Sequence, residues 1–266
     1  MFMPPSASEA SAKRSEFEVY ANVIRALMLR DMRTRFGGSY WGYVVVLLWP
    51  VVHIFVMVGI MVFRGIPSPM GNDAVLFVAT GAVPVLVFQY TSREAMKAML
   101  VNRPLMYYPQ VKAFDIMVAR FLVETIKGFQ GLIIIIFILL SMGIDPTPAV
   151  PALAISGYLM ALLLGLGLGA INMAIMTVFP GWLWGYIVIT VFLYMTSGVF
   201  FLPSFLPEEI YSLMKWSPIV QIVEWVRIAY NPQLGLTVDY TYVLGWAFGS
   251  VSLGLLMERV MLRRFL

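Results

Sequence analysis

Apolar residues run through this chain in long unbroken stretches rather than in alternation with polar ones. Between Arg35 and Arg64 there is no lysine, arginine, aspartate or glutamate. About 20 helical residues cover the roughly 30 Å of membrane hydrocarbon, so residues 42–63 predict a first membrane-spanning helix. The same pattern predicts further spans at 74–92, 120–143, 152–179, 182–201 and 240–257. Barrel strands would alternate apolar and polar positions with period two, and these runs do not. The third span is the least obvious, because its charge-free stretch, 128–143, is short. Counting back about twenty residues from Gly143 places Asp115, Arg120, Glu124 and Lys127 near the headgroups. Arg120 and Glu124 stand four apart and could pair on one helix face, in a charged first turn that snorkels to the interface.

Outside the spans the pattern changes. Residues 1–16 are small, polar and charged, and predict a disordered cytoplasmic tail. Over 17–36, Phe17, Tyr20, Ile24, Leu27 and Met28 recur at helical spacing, with Glu18, Asn22, Arg25 and Arg33 on the other side. This predicts an amphipathic helix in the membrane interface. Residues 37–266 form the transmembrane domain. In the fourth span Gly157, Ala161, Gly165 and Gly169 recur every four residues, and small residues on one face let helix backbones approach closely in lipid. After Pro203, helical patterns around Glu208–Trp216 and Ile219–Tyr230 precede the last span. The predicted fold is an all-α integral membrane protein. It has six transmembrane helices, an N-terminal amphipathic interface helix and short helices before the last span.

Composition reinforces this. The 266 residues are 61% hydrophobic and only 12% charged, about half the charge of a soluble domain. Charge then sets orientation. Fifteen lysines and arginines fall in the N-terminal segment, the stretch from Arg93 to Lys127 and the C-terminus; Arg64, Lys215 and Arg227 are the three others. The positive-inside rule makes both termini cytoplasmic and places Asp145 and Glu208 on the far side. The net charge of +4 is explained by these loops and does not point to nucleic acid.

Several chemistries are excluded or weakened. There is no cysteine, hence no disulfide, thiolate metal site or cysteine nucleophile. No phosphate-cradling G-x-x-x-x-G-K-[ST] loop and no H-E-x-x-H occur, so neither ATP hydrolysis by that route nor zinc hydrolysis is expected. The single histidine, His53, cannot build a multi-histidine metal site within one chain and reads as a hydrogen-bonded packing residue. No catalytic or metal-binding residue is assigned. A membrane-embedded glycosyltransferase would need a carboxylate cluster at one interface, which is not found. Two aromatics deep in their spans, Trp49 and Tyr194, are candidates for lining a translocation path. The cluster Arg30, Arg33 and Arg35 could hold an anionic head by paired hydrogen bonds, or could simply anchor the basic side.

Three segments together resemble the permease subunit of type-2 ABC exporters, in the capsular polysaccharide branch. The first is Arg30-Asp31-Met32-Arg33-Thr34-Arg35-Phe36-Gly37, leading to Gly42 and Trp49-Pro50-x-x-His53. The second is Val111-Lys112, Asp115, Ala119-Arg120 and Glu124; the third is Trp216-Ser217-Pro218, Val223-Glu224 and Arg227. One departure from that family's pattern is Trp49, which stands where an acidic residue precedes the proline. The resemblance implies a homodimer joined by two ATP-binding cassette subunits that carry ATP and magnesium, with no cofactor in this chain. It implies a lipid-linked capsule glycan moved from cytoplasm to periplasm across the inner membrane of a Gram-negative bacterium. Periplasmic and outer-membrane components would complete the route. The short helices after Pro203 would be re-entrant on the periplasmic side. Arg93, Lys97, Arg103 and Lys112, in the longest basic connection between spans, would dock the ATPase subunit. Exporters of the same fold that carry O-antigen, teichoic acid or a small amphipathic compound fit the same motifs.

Overall fold

The structure, a computed structural model, describes residues 16–35, 39–65, 68–69, 74–108 and 111–265. The tail expected at 1–16 lies outside these residues apart from Glu16, and so do Phe36 and Gly37. Ten α-helices occur among the described residues: α1 Glu16–Arg35, α2 Tyr40–Phe63, α3 Ala74–Met96, α4 Ala98–Asn102 and α5 Ala113–Ser141. They continue as α6 Pro151–Val178, α7 Trp182–Thr196, α8 Glu208–Met214, α9 Pro218–Tyr230 and α10 Tyr240–Phe265. Among the described residues there is no strand, and the chain is an all-α integral membrane protein.

Among the described residues, five helices are long and apolar enough to cross a membrane: α2, α3, α5, α6 and α10. The span expected at 182–201 is shorter than the pattern suggested. Its helix, α7, has 15 residues, so it rises only about 22 Å. It stops at a turn in which Gly198 takes φ +81°, a backbone shape that a side chain would strain. The third span differs in the other direction. Helix α5 starts at Ala113 rather than near 120 and runs for 29 residues, so its charged first turns belong to one continuous helix.

Helix α6 is the centre of the bundle, with α3 and α9 on one side and α10 on another. Its small-residue face explains this. A Cβ added at Gly165 would come 2.9 Å from the Phe88 carbonyl of α3, and one at Gly157 would come 2.8 Å from Val226 of α9. Gly169 meets Ala95 and Ser92 of α3 in the same way. Lipid gives no hydrophobic drive between helices, so such close backbone approach is a main source of association. Around this axis the main core gathers Ile54, Phe77, Phe88, Leu164 and Val223. A second core at the basic end joins Ile24 and Leu27 of α1 to Ala98 and Met99 of α4, Ile116 and Met117 of α5, and Met173 of α6.

The two helical patterns after Pro203 form α8 and α9, with Pro218 in the first turn of α9, where its missing N–H costs nothing. Ten of the 13 residues of α9 are buried, Glu224 and Arg227 among them. Arg227 is fully enclosed. Its two terminal nitrogens donate to the carbonyls of Phe201 and Val199, at 3.2 and 3.3 Å, and its charge lies 4.1 Å from the Phe77 ring centre. It thereby holds the chain reversal that ends α7.

Candidate functional site

Some of the charged residues at the basic end are drawn into the fold and others stay exposed. Helix α1 buries Ile24, Leu27 and Asp31, three positions at helical spacing, against α4 and α5. Asp31 is the polar member of that face, and it meets Arg120 of α5. The Arg120 Nη2 lies 3.0 Å from Asp31 Oδ1, and its Nη1 donates to Glu94 Oε2 of α3, also at 3.0 Å. Glu94 in turn takes the Lys97 ammonium at 2.5 Å. Arg120 is 2% exposed and Asp31 4%, so α1, α3 and α5 are joined by a buried ion network.

This corrects the expectation of a snorkelling pair between Arg120 and Glu124. Glu124 pairs instead with Lys127, one turn further along α5, at 2.7 Å. The physical reason is that α1 packs over the first turns of α5 and buries Arg120 within the protein. A buried cation with no route to water must be met by anions at contact distance. Among the described residues, Asp31, Glu94, Lys97 and Arg120 carry charges that sum to zero, which offsets the cost of burying Arg120.

The arginine cluster Arg30, Arg33 and Arg35 is divided. Arg30 Nη1 donates to Asn102 Oδ1 of α4 at 3.0 Å, while Asn102 Nδ2 donates to the Ala98 carbonyl at 2.9 Å. Arg33 is exposed, and the side chain of Arg35 lies outside the described residues. Helix α1 is therefore braced twice, to α5 through Asp31 and to α4 through Arg30.

The segment from α3 to α5 contains the four candidate docking residues. Arg93 and Lys97 lie at the end of α3, half-buried; Arg103 and Lys112 are exposed. The backbone N–H of Lys112 donates to Asp115 Oδ2 at 2.9 Å, which fixes the start of α5. Between them Leu100, Val101, Tyr107 and Tyr108 stand exposed, an apolar and aromatic surface on a short turn of chain.

The path candidates fall in different settings. Trp49 is 55% exposed on α2. Tyr194 is 6% exposed, and its hydroxyl shares a 2.8 Å hydrogen bond with Nε2 of His53, the two rings meeting edge to face. His53 thus ties α2 to α7 as a packing residue. Two features escaped sequence reasoning: the anions that face Arg120, and the enclosure of Arg227. A signal existed for the first, since Asp31 continues the Ile24–Leu27 spacing of an otherwise basic helix.

The chain matches no family model. It is 28% identical over 247 residues to the polysialic acid transport protein KpsM of Escherichia coli, covering 92% of this chain and 96% of that one. It is 27% identical over 255 residues to the capsule polysaccharide export inner-membrane protein BexB of Haemophilus influenzae, covering 95% and 94%. It is 26% identical over 214 residues to the capsule polysaccharide export inner-membrane protein CtrC of Neisseria meningitidis serogroup B, covering 80% of each. The chain is a homologue of these inner-membrane proteins across most of its length, and the likeness read from its motifs holds.

Proposed function

We propose that this homologue of capsule export inner-membrane proteins is itself the permease subunit of an ATP-driven exporter of capsular polysaccharide. The observation that carries the reading is similarity over 80–95% of the chain to one protein named for polysialic acid transport and two named for capsule polysaccharide export. Five helices able to span a membrane fit a multi-pass inner-membrane component.

A charged or heavily hydroxylated polymer cannot cross hydrocarbon bare, so the exporter must supply a protein-lined path. In our reading two copies of this chain form that path, and two ATP-binding cassette subunits supply the work, with ATP and magnesium bound there. The absence of a phosphate-cradling loop in this chain supports that division. The exposed Leu100, Val101, Tyr107 and Tyr108, flanked by Arg93, Lys97, Arg103 and Lys112, suit the docking of such a subunit. Both termini lie in the cytoplasm, and α7 with its following turn completes a sixth crossing. Helices α8 and α9 are then re-entrant from the periplasm, where further export components receive the lipid-linked glycan. Exposed Arg33 is a candidate for the anionic head, together with Arg30 and Arg35 of the same cluster.

The test is restoration of surface capsule in a Gram-negative strain that lacks its own capsule permease. The chain is expressed there with an ATP-binding cassette partner, and its abundance in the inner membrane is measured. Capsule at the cell surface is the expected result. Undetectable capsule at normal abundance would overturn the proposal, and so would robust ATP hydrolysis by the purified chain alone.

A further inference from the structure

Between α2, α3 and α5 lies an open cavity of about 260 Å³, lined in part by the path candidate Trp49. Its wall is apolar over most of its length, with Val45, Leu86, Val87, Leu132 and Ile135. Gly131 lies on the same wall, and a Cβ there would meet nothing within 4 Å. The lining also includes Trp49, Tyr90, Thr91, Glu124 and Lys127. Arg93 stands beside that rim, its charge 5.4 Å from the centre of the Tyr90 ring. Its Nε donates to the Gln89 carbonyl, and Arg93 makes no ion pair among the described residues.

The lining and its surroundings identify what such a slot holds. A water molecule needs two to four polar partners, and the apolar wall offers none. The slot opens from a membrane-spanning bundle, where alkyl chains are the surrounding solvent. The rim adds charge selectivity. Glu124 and Lys127 pair with each other at 2.7 Å, and the Arg93 guanidinium stands beside the same rim. A guanidinium presents a planar fork of donors that matches a phosphate.

We propose that this slot binds an acyl chain of an anionic phospholipid from the surrounding leaflet, with the lipid phosphate at Arg93. The site stands independently of the exported substrate. It fills the space between α2 and its neighbours, and so sets how closely α2 approaches α5.

The experiment uses the purified full chain in bilayers of equal parts phosphatidylglycerol and phosphatidylcholine. A trace of phosphatidylglycerol carries a photoactivatable acyl chain, and adducts are mapped by mass spectrometry. Adducts are expected at Val45, Leu132 or Ile135. Gly131→Phe, whose ring enters open space in the slot, is expected to abolish them, and Arg93→Gln to weaken them about fivefold, as for one interfacial cation. Adducts on the exposed Leu253 and Leu256 of α10 should be unchanged in both variants, which reports on folding and insertion. Equal capture of a phosphatidylcholine probe with the same chain would overturn the proposal, as would slot adducts that persist in Gly131→Phe. A disulfide between two copies of Gly131→Cys would give the slot to the second subunit. Displacement of the probe by lipid-linked glycan, but not by an equal amount of phosphatidylglycerol, would give it to the exported substrate. Either result overturns the proposal.

Discussion

The Arg120 guanidinium on α5 lies 3.0 Å from the Asp31 carboxylate on α1, although 89 positions separate them in the chain and neither side chain reaches solvent. Such a pair is costly to break and cheap to replace. Removing one partner leaves a buried charge with nothing to balance it, at about 3–5 kcal/mol. Arg120→Ala should therefore lower the thermal midpoint in detergent sharply. The double variant Asp31→Leu, Arg120→Met should recover most of the loss, because one charge of each sign and its desolvation disappear together while Glu94 keeps Lys97. A double variant no better than Arg120→Ala would show that the network is needed for more than charge balance.

Arg30 and Arg33 should behave differently despite their shared charge. Arg30 donates to Asn102 in α4, so Arg30→Ala should loosen α1 from the bundle, read as faster hydrogen exchange in α1 and α4. Arg33 is exposed, so Arg33→Ala should leave exchange unchanged. If Arg33 recognises a phosphate by its donor fork, Arg33→Lys should still reduce capsule display. Full display with Arg33→Lys and with Arg33→Ala would reduce its role to anchoring.

Gly165→Leu should disrupt the α3–α6 contact. Its side chain would begin 2.9 Å from the Phe88 carbonyl, a backbone atom that cannot rotate away. The expected result is loss of the folded chain from the membrane. Gly245→Leu on α10 is the control, since a Cβ there meets nothing within 4 Å and should be tolerated. Equal abundance of the two variants would count against α6 as the packing axis.

Glu224 gives a pH dependence with a definite sign. Burial pushes its carboxyl from the ordinary value of 4.5 up to about 7, against the opposing pull of Lys215, Tyr211 and Arg227. The folded chain therefore holds this proton more tightly than the unfolded one. Its contribution favours the folded state below about 4.5 and is lost as pH rises to about 7. The thermal midpoint of the wild type should fall across that window, and Glu224→Gln should flatten the fall. An identical slope in the variant would assign the dependence to another group.

Much of this protein was legible in its sequence because lipid imposes simple rules on a chain. Every spanning backbone group must be paired within a helix, so apolar runs such as 42–63 and 152–179 located α2 and α6 with little ambiguity. The spacing of Gly157, Ala161, Gly165 and Gly169 marked a packing face, because close approach in lipid demands small side chains on one side. The motif segments carried the likeness to capsule exporters. What a face meets is a different question, and local pattern does not answer it. Gly165 could be seen to pack, but only the fold chose Phe88 and Thr91 as its neighbours. Arg120 and Glu124 were plausible partners at helical spacing. The fold laid α1 over α5 and gave Arg120 to Asp31 and Glu94, since a cation removed from water is held by whichever anions tertiary packing brings within contact.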